Sequence, residues 1–192
     1  GYLVVEILVQ VSRTRLYGPI DRSSAGLGMA AALWLFYVSK LLEFLDTVIM
    51  VLRQNFHQVS FLHWYHHVAT FLVWHVDVKF YPGGEAWCSA WLNSFVHVWM
   101  YGYYLLSTFG VQPWWKRYLT LLQISQLALF VLQGVALAVF GAAERDFVPI
   151  GVCNGIYALT LLVLFLDFYR KSYAKSTSRR SNAASQASPA GN

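Results

Sequence analysis

Charge is what this chain has least of. Asp, Glu, Lys and Arg make up 12% of its 192 residues, against 57% hydrophobic residues. Soluble domains carry roughly 25% charged residues, and a chain with half that proportion has too few polar side chains to solvate a surface in water alone. The shortage excludes a disordered chain and an ordinary soluble one, and leaves an integral membrane protein. The net charge of +5 is not spread over the molecule. Arg170, Lys171, Lys175, Arg179 and Arg180 lie near the end, and removing those five from 14 basic residues leaves 9 against 9 acidic ones. No basic groove or nucleic-acid-binding motif remains, so no nucleic-acid partner is expected. No signal peptide or internal repeat is expected from the sequence as given.

Long stretches without charge are what the chain has instead. They run for 17 residues before Lys40, 23 between Arg53 and Asp77, 30 between Glu85 and Lys116, 26 between Arg117 and Glu144, and 20 between Asp146 and Asp167. A bilayer core takes about 20 apolar residues in helix. With the turn signals Gly26-Leu27-Gly28, Pro82-Gly83-Gly84, Gly110 to Pro113 and Gly141 to Asp146, the windows predict five spans, near 29–52, 60–79, 86–109, 117–140 and 147–169. Gly1 to Val11 reads as the end of a sixth, in a chain expected to have lost its N-terminal part. The expected fold class is an all-α polytopic membrane helix bundle. A transmembrane domain would cover 1–171, followed by a disordered tail over 172–192, whose last 21 residues hold six Ser and no hydrophobic periodicity.

Basic residues flanking the spans set the orientation. The basic tail places the C-terminus in the cytosol, and alternation puts Arg53 and Lys116-Arg117 on that side, with Asp77 to Glu85 and Glu144 to Asp146 opposite. The loop holding Arg13, Arg15, Asp21 and Arg22 runs against the rule. Cys88 and Cys153 both fall at the lumenal ends, where a disulfide could form, although two Cys in so long a chain are commonly apolar filler.

Ionisable groups inside a span cost several kcal/mol unless they face a cavity or a partner. Four spans carry polar strings. Lys40-Leu-Leu-Glu43-Phe-Leu-Asp46-Thr47 spreads Lys40, Glu43 and Asp46 over about 120° of one helix. His63-Trp-Tyr-His66-His67 sets three imidazoles at i, i+3 and i+4 on one face. Asn93, His97, Met100, Tyr101 and Tyr104 form a stripe about 100° wide, and Thr120, Gln123 and Gln126 follow on the next span. Counted inward from the cytosolic ends, Asp46, His66, His97, Gln123 and Gln126 lie roughly 9–18 Å deep. Four helices thus place their polar groups in one layer, as a lined cavity requires. His57 and His75, at span edges, read as packing residues.

Imidazole at this depth offers three roles: metal ligand, general base and nucleophile. His63, His66, His67 and His97 with Asp46 or Glu43 suit a single metal ion, but six histidines in all are too few for a three-box di-iron enzyme. The layer contains no Cys, and the chain has no Gly-x-Ser-x-Gly elbow, so acyl transfer here would use histidine itself. A metal-dependent membrane oxidoreductase and a proton or solute transporter are the competing readings.

The four strings together resemble the ELO family of very-long-chain fatty acid elongases, the membrane-embedded 3-ketoacyl-CoA synthases. The patterns Lys-x-x-Glu-x-x-Asp-Thr, His-x-x-His-His, Asn-x-x-x-His-x-x-Met-Tyr-x-Tyr-Tyr and Thr-x-x-Gln-x-x-Gln occur in order from Lys40 to Gln126. The resemblance implies a seven-helix bundle in the endoplasmic reticulum membrane, with five full spans and part of another present here. It implies condensation of acyl-CoA with malonyl-CoA without a cofactor or metal. His66 would be the nucleophile, assisted by His97, with His63 and His67 orienting it. Lys40, Glu43, Asp46, Asn93, Tyr101, Tyr104, Gln123 and Gln126 would bind and orient the substrates, and Arg53, Lys116, Arg117, Arg170 and Lys171 suit CoA phosphates. Implied partners are membrane lipid, the ketoacyl reductase, dehydratase and enoyl reductase of an elongation cycle, and a second copy of the chain. The Asn93 to Tyr104 string looks like the polyunsaturated-type elongases and the His63 to His67 string like the saturated and monounsaturated type, which leaves substrate class open.

Overall fold

Charge-free windows of about 20 residues have one inexpensive way to satisfy their backbone in lipid, the α-helix. The computed structural model describes residues 1–14, 21–83, 86–140 and 147–187 and is helical almost throughout. The elements are α1 (Tyr2–Val11), α2 (Ser24–Leu52), α3 (Phe61–Phe80), α4 (Ala86–Thr108), α5 (Lys116–Phe140) and α6 (Phe147–Ala187), with a 3₁₀ turn at Phe56–Gln58. Among the described residues there is no strand. The turn expected at Gly141 to Asp146, together with Arg15, Gly84 and Glu85, lies outside the described residues.

Local chemistry sets the helix ends. Ser23 caps α2 by accepting from the Gly26 N–H at 3.2 Å, while its own N–H donates to Asp21 Oδ1 at 2.9 Å. Ser60 caps α3 in the same way, accepting from the His63 N–H at 3.2 Å. After α2 the chain turns through Gln54 at φ 57°, and the Asn55 N–H closes back on the Met50 carbonyl at 2.9 Å. After α4, Gly110 takes φ 79°, and the Val111 N–H returns to Leu106 at 3.1 Å.

The tail is where sequence composition and structure differ. Instead of losing regular structure at 172, α6 continues to Ala187. From Ser172 to Ala187 there is neither Gly nor Pro, and the first breaker is Pro189. Lys175, Arg179 and Arg180 lie on this extension. Cys88 and Cys153 are free thiols.

α2 packs on α3, α3 on α6, α6 on α5, α5 on α4, and α4 returns to α2. Five helices thus close a ring, and α1 lies outside it against α2 and α4. Around Ile7, Met29, Ala32, Leu33, Phe36, Trp74 and Ala90 the packing is dense, with the Phe36 and Trp74 rings edge to face at 4.5 Å. α5 and α6 form the closest pair because glycine lets them. A Cβ on Gly134 would come within 2.5 Å of the Gly155 Cα, and one on Gly151 within 2.6 Å of the Leu137 Cβ. Such close backbone approach drives helix association where lipid removes the usual hydrophobic gain.

Burial is inverted relative to a soluble protein. Lys40, Glu43, Thr70, Asp77, Asn93, Thr120 and Gln126 are buried, while Leu42, Leu45, Leu132, Val139, Ile156 and Val163 point outward. Polar groups inside and leucines outside are the arrangement of a polytopic membrane bundle. α5 and residues Val148–Ser172 of α6 have the length and mean hydropathy, 1.8 and 2.0, of membrane spans by composition alone.

Candidate active site

The ring encloses a cavity of about 330 Å³, lined by residues from α3, α4, α5 and α6 and by Asp46 and Met50 of α2. Along α3 it follows one stripe from His63 through His66, Thr70, Trp74 and Asp77 to Tyr81, nearly the whole length of the helix. Of the residues singled out in the sequence, Asp46, His63, His66, His67, Asn93, His97, Tyr101, Tyr104, Gln123 and Gln126 all line it. Lys40 and Glu43 do not. They lie behind the wall, and their geometry assigns them a supporting position.

Lys40 is 3% exposed and gives its protons to Glu43 Oε1 at 2.6 Å and Asn93 Oδ1 at 2.7 Å, with the Phe36 ring 4.4 Å beneath its Nζ. Glu43 Oε1 is also 3.1 Å from His97 Nδ1, within ion-pair distance but not aligned as a hydrogen bond. Two helices are pinned together by one cation. The chain from Lys40 fixes where Asn93 and His97, one turn apart on α4, meet the cavity.

The histidines are held unequally. Thr47 Oγ1 and His63 Nε2 are 2.8 Å apart, which ties His63 to α2. The His63 and His67 rings lie 4.4 Å apart between centroids, tilted by 57°, and the His66 ring stands at 86° to His67 at 5.3 Å. Phe165 of α6 meets His66 edge on at 6.4 Å. Below it, the Thr70 hydroxyl donates to the His66 carbonyl at 2.5 Å and also contacts the Tyr157 hydroxyl. Among the described residues no side chain hydrogen-bonds the His66 ring itself. His66 is thus oriented by its aromatic neighbours, with its nitrogens unengaged beside the cavity. Across from it, the Tyr101 hydroxyl donates to Asp46 Oδ2 at 2.7 Å, and the Gln123 amide faces the Met100 sulfur at 3.6 Å. No three His, Cys, Asp or Glu among the described residues converge as a ligand set for a metal ion.

The GNS1/SUR4 (ELO) family matches residues 2–181. The chain belongs to the ELO family. Similar proteins include very long chain fatty acid elongase 4 of Homo sapiens, 44% identical over 151 residues that cover 76% of this chain and 47% of that protein. Elongase 2 of Mus musculus is 40% identical over 79% of this chain and 53% of its own length. Elongase 5 of Xenopus laevis is 39% identical over 77% of this chain and 50% of its own. The chain spans about half the length of the curated relatives it matches.

In this ELO chain, sequence reasoning missed the second half of the cavity. The sequence puts Asp77 at the far-side end of the 60–79 span, facing water, whereas the structure buries it to 5% exposure and gives it the Asn154 amide at 3.2 and 3.3 Å. Ser89 donates to Gln133 at 2.8 Å, and both line the cavity. A signal was present. Asp77 follows His66 by eleven residues, three helical turns, so the two share a face.

Proposed function

We propose that this protein is the condensing enzyme of fatty acid elongation, joining an acyl-CoA to malonyl-CoA with His66 as the nucleophile. The observation that carries the reading is an unengaged imidazole on the wall of a long intramembrane cavity. A ring nitrogen of His66 attacks the acyl thioester carbonyl, the C–S bond breaks, and CoA leaves as the thiol after taking a proton. The acyl group is then held as an acyl-imidazole. Malonyl-CoA loses carbon dioxide, and the electron pair left on its α-carbon attacks the acyl carbonyl, forming the C–C bond of 3-oxoacyl-CoA and releasing the imidazole.

The surroundings suit these steps. The Asn93 amide lies on the cavity wall as a donor for the oxyanion, and the Tyr101 hydroxyl, engaged by Asp46, borders the same space. His97, backed by Glu43, is placed to move the proton that thiolate departure requires. His63, held by Thr47, and His67 fix the His66 ring, and Asp46, Tyr104, Gln123 and Gln126 border the same space for the two acyl groups. Arg53, Lys116, Arg117, Arg170 and Lys171 lie toward the end of the bundle nearest the histidines and supply charge for CoA phosphates. No cofactor or metal enters the scheme. The protein would work in the endoplasmic reticulum membrane with its C-terminus in the cytosol, passing product to the reductases and dehydratase of the cycle.

Intact-mass measurement of the full-length protein after incubation with acyl-CoA alone tests this reading. The expected result is a gain of one acyl group, absent in His66→Ala. No adduct, with elongation retained in His66→Ala, overturns it.

A further inference from the structure

The end of the cavity remote from the histidines is polar. Asp77, Asn154, Ser89 and Gln133 all line it there, contributed by α3, α6, α4 and α5. A cavity built only for a methyl-terminated chain would be apolar at this depth, because a buried polar group facing hydrocarbon costs about 1–3 kcal/mol unless it is fully paired. Asp77 is not fully paired. Its two carboxyl oxygens share one amide nitrogen, Asn154 Nδ2, at 3.2 and 3.3 Å, and no other described side chain donates to it. A carboxylate offers about four acceptor positions, so the carboxyl group has room for a donor arriving from the cavity.

The separation is informative as well. Asp77 is eleven residues along α3 from His66, a rise of roughly 16 Å, about the length of a dozen extended methylene groups. From the elongase reading above, on which this inference rests, we infer that the distal pole binds a hydroxyl group at or near the far end of the acyl chain. The substrate class is accordingly ω-hydroxylated long-chain acyl-CoA. The chain's hydroxyl donates to the free face of the Asp77 carboxyl, and Asn154 holds that carboxyl in place.

Steady-state elongation of ω-hydroxypalmitoyl-CoA and palmitoyl-CoA by the full-length protein, with malonyl-CoA saturating, tests the inference through the ratio of the two kcat/KM values. The wild type is expected to favour the hydroxylated chain by about fivefold or more, as one added hydrogen bond of about 1 kcal/mol predicts. In Asp77→Leu the ratio should fall below one while palmitoyl-CoA is still elongated, and Asp77→Asn, which keeps an acceptor, should retain part of the preference. A wild-type ratio of one or less overturns the inference by itself, even where Asp77→Leu does not fold. So does a ratio that Asp77→Leu leaves unchanged. Elongation of palmitoyl-CoA in those cases leaves the elongase reading standing, whereas failure to elongate either chain overturns both.

Discussion

Lys40 shows how one residue can matter to a site it does not touch. Its ammonium is removed from solvent and balanced by Glu43 and Asn93, with His97 next in line. Breaking a buried pair by deleting one partner strands the other charge, at a cost of about 3 kcal/mol or more. Lys40→Met should therefore destabilise the protein by about that amount, and Lys40→Met with Glu43→Gln should recover part of the loss. A double-mutant cycle on detergent-solubilised protein measures the coupling, and strictly additive effects would refute it. Thr47 offers a milder test. Removing its hydroxyl frees His63 at a cost of about 1 kcal/mol, so Thr47→Val should lower kcat/KM for elongation about fivefold with folding intact, and Thr47→Ser should restore it. At this scale the sequence revealed most of the proximal site, because ionisable residues stand out against apolar helices. Polar spacing alone could not separate Lys40 and Glu43 from the lining residues. Both share a face with Asp46, and only the approach of α4 shows that Asn93 intervenes.

Among the elements, α5 and α6 make the sharpest prediction because two glycines on facing helices are not equivalent. A methyl on Gly134 would press to 2.5 Å of the Gly155 Cα, whereas one on Gly155 would meet the Gly134 Cα at 3.4 Å, an ordinary contact. Gly134→Ala should cost about 1–3 kcal/mol through overpacking. Gly155→Ala should be neutral or slightly stabilising, since alanine is the better helix former by about 1 kcal/mol. Thermal unfolding of the two variants in one detergent would reveal the asymmetry, and equal losses would contradict it. The helices themselves were legible from charge-free windows, and α5 and α6 also have the length and hydropathy of membrane spans. Their ends were less so. α2 begins at Ser24 rather than near 29 because Ser23 and Asp21 build a cap there, and α6 passes 172 because no breaker stops it. The same use of charge as a boundary marker hid Asp77. A window that ends at a carboxylate assigns it to water, while the ring of helices gives it Asn154 instead.

For the whole molecule, the ring and its long cavity imply a direction. The histidines lie toward the end where α2 meets α3 and α4 meets α5, the end that carries Arg53, Lys116 and Arg117, while Asp77 and Ser89 lie toward the other. Each Lys or Arg near an anionic cytosolic leaflet contributes about 1 kcal/mol, and Arg170 and Lys171 of α6 add to the same side. Arg13, Arg15 and Arg22 oppose them from the connection between α1 and α2, offset in part by Asp21, but they are fewer. The histidine end should therefore face the cytosol, where a water-soluble CoA ester arrives. In sealed microsomes holding the full-length protein with its native cysteines, Cys88 and Cys153 among them, replaced by Ser, a membrane-impermeant thiol reagent should label Gln54→Cys and Gln112→Cys directly. Gly83→Cys should react only after the membrane is permeabilised. The reverse pattern would place the histidine mouth in the lumen, away from cytosolic CoA esters, and would count against the condensing mechanism as well as the orientation.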